Sequence, residues 1–362
     1  MKDDVVNPII REFIRSQTDI DIDRYSDKGG FGELYFGKRK IFDDRVALKF
    51  YVLDENGDGH EEPILLKQIT HDNILKLIDA RIINDRIAYY LTPEISGGDL
   101  QNIIDNYILP TEKAVSIIQG VLKGLTELHK PPLNLVHRDL KTYNVLVDKN
   151  DGMAYLADFG TIKKIPDGQD YVSASKYTFL YRPPEVILDN KYTKQSDLYQ
   201  MGIILYQVLG GHFPMKQPHE WLNGRKLLKY NQLNPFEQQT FLGNHLEELI
   251  VKGKIIDLDT LPIFVSRKLK TIIKNATNTE IKKRFSTCAD FLKALFDYQK
   301  SSKDWWVDND IIHATNKKTK RNYRIVKRKK ELVTEWSNTT TDWRKDFSDN
   351  KLQKHIDNIE SK

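Results

Sequence analysis

Apolar positions fall in short, strand-like runs between about residues 21 and 95, and at helical spacing from about residue 96 to residue 300. Asn7-Pro8 followed by Ile9, Ile10, Phe13 and Ile14 offers an N-cap, a first-turn proline and an apolar stripe, so a short helix is expected to lean on the first segment. Arg45–Tyr51 and Ile87–Leu91 read as strands, being rich in β-branched and aromatic residues. One helix interrupts them. Pro63 cannot sit inside a helix but suits its first turn, which places the start near Glu62. Further on, Ala114, Ile117, Ile118, Val121, Leu122, Leu125 and Leu128 share one helical face. Residues 219–262 suggest extra helix, with Leu246, Leu249, Ile250 and Val251 as its apolar positions. No internal repeat or low-complexity tract is visible. The expected organisation is a helical extension (1–20), a β-rich part (21–95), a helical part (96–300) and a C-terminal extension (301–362).

Composition adds little until the C-terminal extension. A chain of 362 residues exceeds a usual single domain. No apolar run reaches membrane-spanning length, since the stretch near Gly202–Leu209 is short and contains Gln207. Met1-Lys2-Asp3-Asp4 lacks a secretory apolar core, and Cys288 is alone, which excludes an internal disulfide framework. A cytoplasmic location is the expectation. Residues 301–362 hold fifteen Lys and Arg against ten Asp and Glu, a net of +5 that equals the formal charge of the whole chain. Nine of those cations lie between Lys317 and Lys330 with no acid among them. Tyr323, Ile325, Val326, Leu332, Val333 and Trp336 suggest a strand or hairpin there. Such a patch can attract nucleic acid or an acidic partner. The preferred alternative is a solvated appendage that packs Trp305, Trp306, Trp336 and Trp343 on the helical part, because charge runs are usually solvated faces.

The most informative segment is Leu135–Val147, which contains His137-Arg138-Asp139, Lys141 and Asn144, with Asp158-Phe159-Gly160 following at an interval a β-hairpin can span. This order resembles the catalytic core of eukaryotic-type protein kinases. The resemblance implies an α+β bilobal fold, with a small β-rich N-lobe carrying one short helix, a large helical C-lobe and an extra basic C-terminal segment. It implies phosphoryl transfer from ATP, with Asp139 accepting the substrate hydroxyl proton and Lys141 steadying the γ-phosphate. Asn144 and Asp158 would hold Mg²⁺, a hard cation that prefers oxygen.

Upstream, Asp27–Gly37 resembles the family's glycine-rich loop, with Gly29, Gly30, Phe31 and Gly32 over the phosphates and Asp27 in place of its first glycine. Val46-Ala47-Leu48-Lys49 resembles its third strand, so Lys49 would bind the α- and β-phosphates and pair with a helix glutamate, Glu62 or its neighbour Glu61. Tyr89–Leu100 matches the hinge. Thr92 would be the gatekeeper, the Pro93 carbonyl and Ile95 N–H would read adenine, and Leu34, Ala47 and Leu146 would surround it.

Tyr181–Glu185 resembles the end of an activation segment, with Pro183 where the family has alanine; Glu185 is expected to pair with Arg284, and Asp197 to hold the backbone of the catalytic loop. Lys141 and Thr178 favour serine/threonine specificity. Arg138 would sense phosphate on the segment, at Ser173 or Ser175, with Tyr171 and Tyr177 less favoured. The implied function is a kinase of protein Ser/Thr hydroxyls that phosphorylates its own activation segment. The alternatives are a pseudokinase scaffold, motivated by the departures at Asp27, Pro63 and Pro183, and a nucleic-acid-binding regulator acting through the basic extension.

Overall fold

The computed structural model describes residues 7–26, 32–53, 59–174, 179–213 and 218–362. Helix α1 (Pro8–Ser16) begins where Asn7 Oδ1 accepts the Ile9 N–H at 3.0 Å and Pro8 takes the first turn. Its apolar side lies on the first sheet: Ile10 is buried, and the Phe13 ring meets Phe50 edge-on at 5.8 Å and Tyr89 at 5.0 Å. That sheet contains β1 (Ile20–Ser26), β2 (Leu34–Arg39) and β3 (Arg45–Val52), then, after α2 (Glu61–Gln68), β4 (Asp79–Asn84) and β5 (Ile87–Pro93). The order is β1-β2-β3-β5-β4, antiparallel throughout. Val46, Leu48 and Phe50 of β3 alternate into the core with Tyr35, Tyr89 and Leu91.

The larger part starts with α3 (Leu100–Asn106) and α4 (Thr111–His129), whose stripe from Ala114 to Leu128 is fully buried. Short strands follow: β6 (Leu135–Val136), β7 (Val145–Val147), β8 (Ala154–Leu156), β9 (Lys163–Lys164) and β10 (Val172–Ser173). Next come α5 (Pro184–Asp189), β11 (Lys191–Tyr192) and α6 (Lys194–Val208). From Ser196 to Val208 every residue of α6 is buried, so it is an interior helix with no solvent face. The segment 219–262 supplies α7 (Gly224–Asn231) and α8 (Pro235–Val251), of which Leu246 and Ile250 reach the core while Leu249 and Val251 stay half-buried. Helices α9 (Arg267–Ala276) and α10 (Cys288–Gln299) complete this part.

Residues 304–360 form more than the strand or hairpin expected from their pattern. β12 (Asp304–Asp308), β13 (Ile311–Thr315), β14 (Asn322–Arg328), β15 (Glu331–Ser337) and β16 (Arg344–Asp349) make a five-stranded antiparallel meander, followed by α11 (Leu352–Glu360). Trp305, Ala314, Tyr323, Ile325, Ile356 and Ile359 belong to the same buried cluster as the helices of the larger part. Asp304 Oδ1 accepts the Glu112 N–H at 2.9 Å and so serves the N-terminus of α4.

The expectation for the tryptophans holds for two of them, Trp305 and Trp336. Trp305 is buried, stacks on Phe264 at 6.1 Å and donates its indole N–H to Glu360 at 2.7 Å. Trp336, paired with the buried Tyr323, packs half-buried against the same cluster under Arg321, whereas Trp306 stacks on His313 and Trp343 lies under Arg324. For Trp306 the reason is strand alternation, which turns it to the face opposite Trp305. The basic run is likewise dispersed: Arg324 and Arg328 both pair with Glu335 at 2.7 Å, and Lys317 pairs with Glu112. Of the remaining cations, Lys318, Lys320 and Arg321 precede β14 and Lys327, Lys329 and Lys330 lie at its far end, roughly 20 Å away at strand rise. A nucleic-acid partner is not supported.

Two stability tests follow. Trp305→Ala is expected to cost about 3–5 kcal/mol in denaturant unfolding of the full chain; a loss under about 1 kcal/mol would show that the C-terminal sheet is not part of the core. The buried pair of Arg284 with Glu185, at 2.7 Å, makes Arg284→Met cost about 3–5 kcal/mol. Adding Glu185→Leu should return most of that loss, and a double variant as unstable as the single would contradict the pairing.

Candidate active site

Lys49 lies on β3 opposite Leu34 of β2, and its ammonium is the centre of a three-charge cluster. Nζ is 3.0 Å from both Glu62 oxygens and 2.9 Å from Asp158 Oδ1. Burial opposes the ammonium, yet the two carboxylates outweigh it and raise its pKa. Burial would raise Asp158, and Lys49 lowers it instead. Glu62 stands in the first turn of α2, which begins at Glu61 with His60 before it. Glu62 Oε1 also accepts the Phe159 N–H at 2.9 Å, so this carboxylate ties α2 to both β3 and the Asp-Phe-Gly segment. Phe159 is buried beside the His137 ring at 5.7 Å.

Gly29, Gly30 and Phe31 lie outside the described residues. Gly32 is described, and a Cβ there would fall 1.9 Å from the Phe50 carbonyl oxygen, a backbone approach that only glycine permits. Within the sheet, β3 and β5 are neighbours that pair Ala47 with Thr92 and Val46 with Pro93. Thr92 is buried; Leu34, Pro93, Ile95 and Leu146 are half-buried. Leu146 bridges to Asp99, and a Cβ on Gly97 would meet the Val147 carbonyl at 2.2 Å, so the connection after β5 presses against β7. These contacts put Leu34, Ala47 and Thr92 in register beside Lys49 on the sheet, with Pro93 ending β5 and Ile95 on the connection that leads to Leu146 of β7.

The catalytic loop follows β6. Its backbone is held from below by Asp197, which is fully buried: Oδ2 accepts the His137 N–H at 2.9 Å and Oδ1 accepts the Arg138 N–H at 3.0 Å. The same carboxylate accepts the Tyr192 hydroxyl at 2.6 Å and lies 2.8 Å from His129 Nε2. Burial opposes ionisation of both partners, but their contact keeps Asp197 below its ordinary pKa and pushes His129 up to about 9. Arg138 has φ +73°, and Asp158 has φ +60°. Left-handed backbone is costly for such residues and persists only where the surroundings enforce it, so it marks two points of the site where geometry outweighs local preference.

Above the loop, Asp139 is nearly buried. Lys141 Nζ lies 2.6 Å from Asp139 Oδ2, and Asn144 Nδ2 donates to the Asp139 carbonyl at 2.8 Å and to Oδ2 at 3.2 Å. Because the Asn144 amide nitrogen is committed to Asp139, its oxygen is the atom that can take a cation. Among the described residues no group of three or more His, Cys, Asp or Glu could hold a metal. An amide oxygen and the Asp158 carboxylate fit Mg²⁺, which keeps waters and phosphate oxygens as its other ligands.

Arg138 donates from Nε to the Thr161 carbonyl at 2.6 Å and from Nη1 to the Ser173 carbonyl at 3.0 Å. Ser173 is exposed on β10, which pairs with β11, and the exposed Lys163 and Lys164 pair with β6. Ser175, Tyr177 and Thr178 lie outside the described residues. Glu185 and Arg284 meet each other, and Ser196 donates to Glu185 at 2.6 Å, away from the catalytic loop. Sequence reasoning did not single out His129, Tyr192 and Gln200, which contact Asp197 or the catalytic loop. The available signal for Gln200 was its place one turn after Asp197 in a helix buried on every side.

Comparison with known proteins supplies the wider context. Residues 27–296 match the family model described as protein kinase domain. Serine/threonine-protein kinase TIO of Arabidopsis thaliana is 28% identical over 62% of this chain and 17% of its own length. Wall-associated receptor kinase-like 3 of the same organism is 30% identical over 57% of this chain and 29% of its own length. Probable serine/threonine-protein kinase PBL16, also from Arabidopsis thaliana, is 32% identical over 71% of this chain and 64% of its own length. The chain thus spans less than two thirds of each of these relatives. With three quarters of its residues under one family model and a cleft built from that family's motifs, the chain belongs to the protein kinase family.

Proposed function

We propose that the protein transfers the γ-phosphoryl group of ATP to serine or threonine hydroxyls of protein substrates in the presence of Mg²⁺. The observation that carries this reading is the convergence of Lys49, Glu62, Asp139, Lys141, Asn144 and Asp158 around one cleft. In the reaction the bond from the γ-phosphorus to its bridging oxygen breaks as the hydroxyl oxygen bonds to phosphorus, and ADP leaves with the bridging oxygen. Asp139 accepts the hydroxyl proton and orients the nucleophile. Lys141, against Asp139 Oδ2, offsets negative charge on the moving phosphoryl group. Lys49 holds the α- and β-phosphates, and Glu62 fixes the ammonium for that task. Asn144 and Asp158 would hold the cation. Mg²⁺, when bound, neutralises charge on the β- and γ-phosphates.

The pseudokinase alternative is not favoured, because Asp27, Pro63 and Pro183 leave every catalytic group in place. The similarity to serine/threonine-protein kinases, together with Lys141, supports Ser/Thr hydroxyls as acceptors. We also propose that Ser173 or Ser175 is modified by the enzyme itself, since Ser173 is exposed and its carbonyl is already in the grip of Arg138. Among the described residues no helix is long and apolar enough to cross a membrane, and the working assignment of location is cytoplasmic.

The test is phosphate incorporation from labelled ATP with Mg²⁺, comparing the wild type with Asp139→Asn and mapping the products by mass spectrometry. Incorporation is expected in the wild type and reduced about 10²–10⁴-fold in the variant. A wild type that binds ATP but modifies neither itself nor any of a panel of protein substrates would overturn the assignment. Glu62→Gln should lower kcat/KM about 10–100-fold through the loosened Lys49, with the fold intact by circular dichroism; unchanged kinetics would remove Glu62 from the nucleotide site.

A further inference from the structure

Three backbone N–H groups of the catalytic loop point at α6, and Asp197 accepts only two of them. The third, on Leu140, donates to Gln200 Oε1 at 2.9 Å. Gln200 is fully buried, and the same oxygen lies 2.8 Å from the Tyr192 hydroxyl that also contacts Asp197. The amide orientation is set by the Leu140 donor, which requires the oxygen on that side. As a result Gln200 Nε2 is buried with no hydrogen-bond partner among the described residues. A buried unpaired donor costs stability, and an apolar side chain of similar size would fill the space without it.

The Leu140 N–H belongs to the peptide plane that joins it to Asp139. The opposite edge of that plane, the Asp139 carbonyl, accepts Asn144 Nδ2 at 2.8 Å. The plane is therefore pinned at both edges, by Gln200 below and by Asn144 above. Asn144 Nδ2 also reaches Asp139 Oδ2 at 3.2 Å, so the orientation of the plane decides whether Asn144 can hold the Asp139 carboxylate and turn its own oxygen away.

We propose that Gln200 is a positioning residue for phosphoryl transfer, acting through the Leu140 amide to fix the Asp139–Leu140 peptide plane. The proposal rests on the kinase activity inferred above. Gln200 touches neither nucleotide nor substrate. Its loss should be felt in turnover and not in nucleotide binding, which the cleft walls and Lys49 provide.

The test uses the full chain with Gln200→Met and, independently, Gln200→Leu. Nucleotide-binding sites are titrated first, so that turnover is expressed per competent molecule. The expected result is a fall in kcat of about 10–100-fold with the KM for ATP within about twofold of wild type. Thermal stability should change little, because the orphaned Leu140 N–H is offset by removal of the unpaired Nε2. Hydrogen exchange at single-residue resolution should show Leu140 deprotected while His137 and Arg138, on Asp197, stay protected.

Turnover per competent site within about threefold of wild type would overturn the proposal, as would unchanged protection of Leu140. Failure of both variants to fold would assign Gln200 to folding and overturn it equally. If the wild type binds nucleotide but transfers no phosphate, the activity reading fails and the catalytic role falls with it, while exchange at Leu140 still reports whether the hydrogen bond exists.

Discussion

Asp197 is the constraint on which the site depends. A carboxylate with no solvent exposure is tolerated only when its charge is met, and here two loop amides, the Tyr192 hydroxyl and His129 meet it. That requirement fixes the loop in a backbone conformation with Arg138 at positive φ, which in turn places Asp139 above α6. The interior helix α6 is thus both the centre of the core and the platform of the chemistry.

A second charge cluster joins the two parts of the molecule. Lys49 comes from the sheet, Glu62 from α2 and Asp158 from the segment after β8, and their mutual contacts make the cleft walls interdependent. Glu62 also accepts the Phe159 N–H, so a shift of α2 would disturb both the ammonium and the Asp-Phe-Gly segment. Opposed to this economy is the C-terminal sheet, which is far larger than a cap for α4 requires. Its Trp305, Trp336 and α11 extend the main core, and Arg324 on its outer face lies over Trp343.

What the sequence made legible follows from how chemistry constrains residue type. Positions 137–144 and 158–160 stand out because a proton acceptor, a cation and oxygen ligands must occur in fixed order, and the structure brings those residues together. Pro63 marked the start of α2, which left Glu62 facing Lys49. The C-terminal meander was less legible because a strand's partner is not written in its own alternation. Trp305 and Trp306 read alike until pairing with Ala314 and His313 turns one inward and the other outward. Gln200 was missed for a related reason: a polar residue in a helix buried all round has no face to betray its partner.

The central claim is that a buried charge at Asp197 organises the catalytic loop, and Asp197→Asn tests it most directly, since it keeps the shape and removes the charge. Turnover should be measured beside nucleotide affinity on protein shown to be folded by circular dichroism. The account predicts that nucleotide still binds within a few-fold of wild type while phosphate transfer falls by about two orders of magnitude or more. Transfer retained within a few-fold of wild type would contradict it.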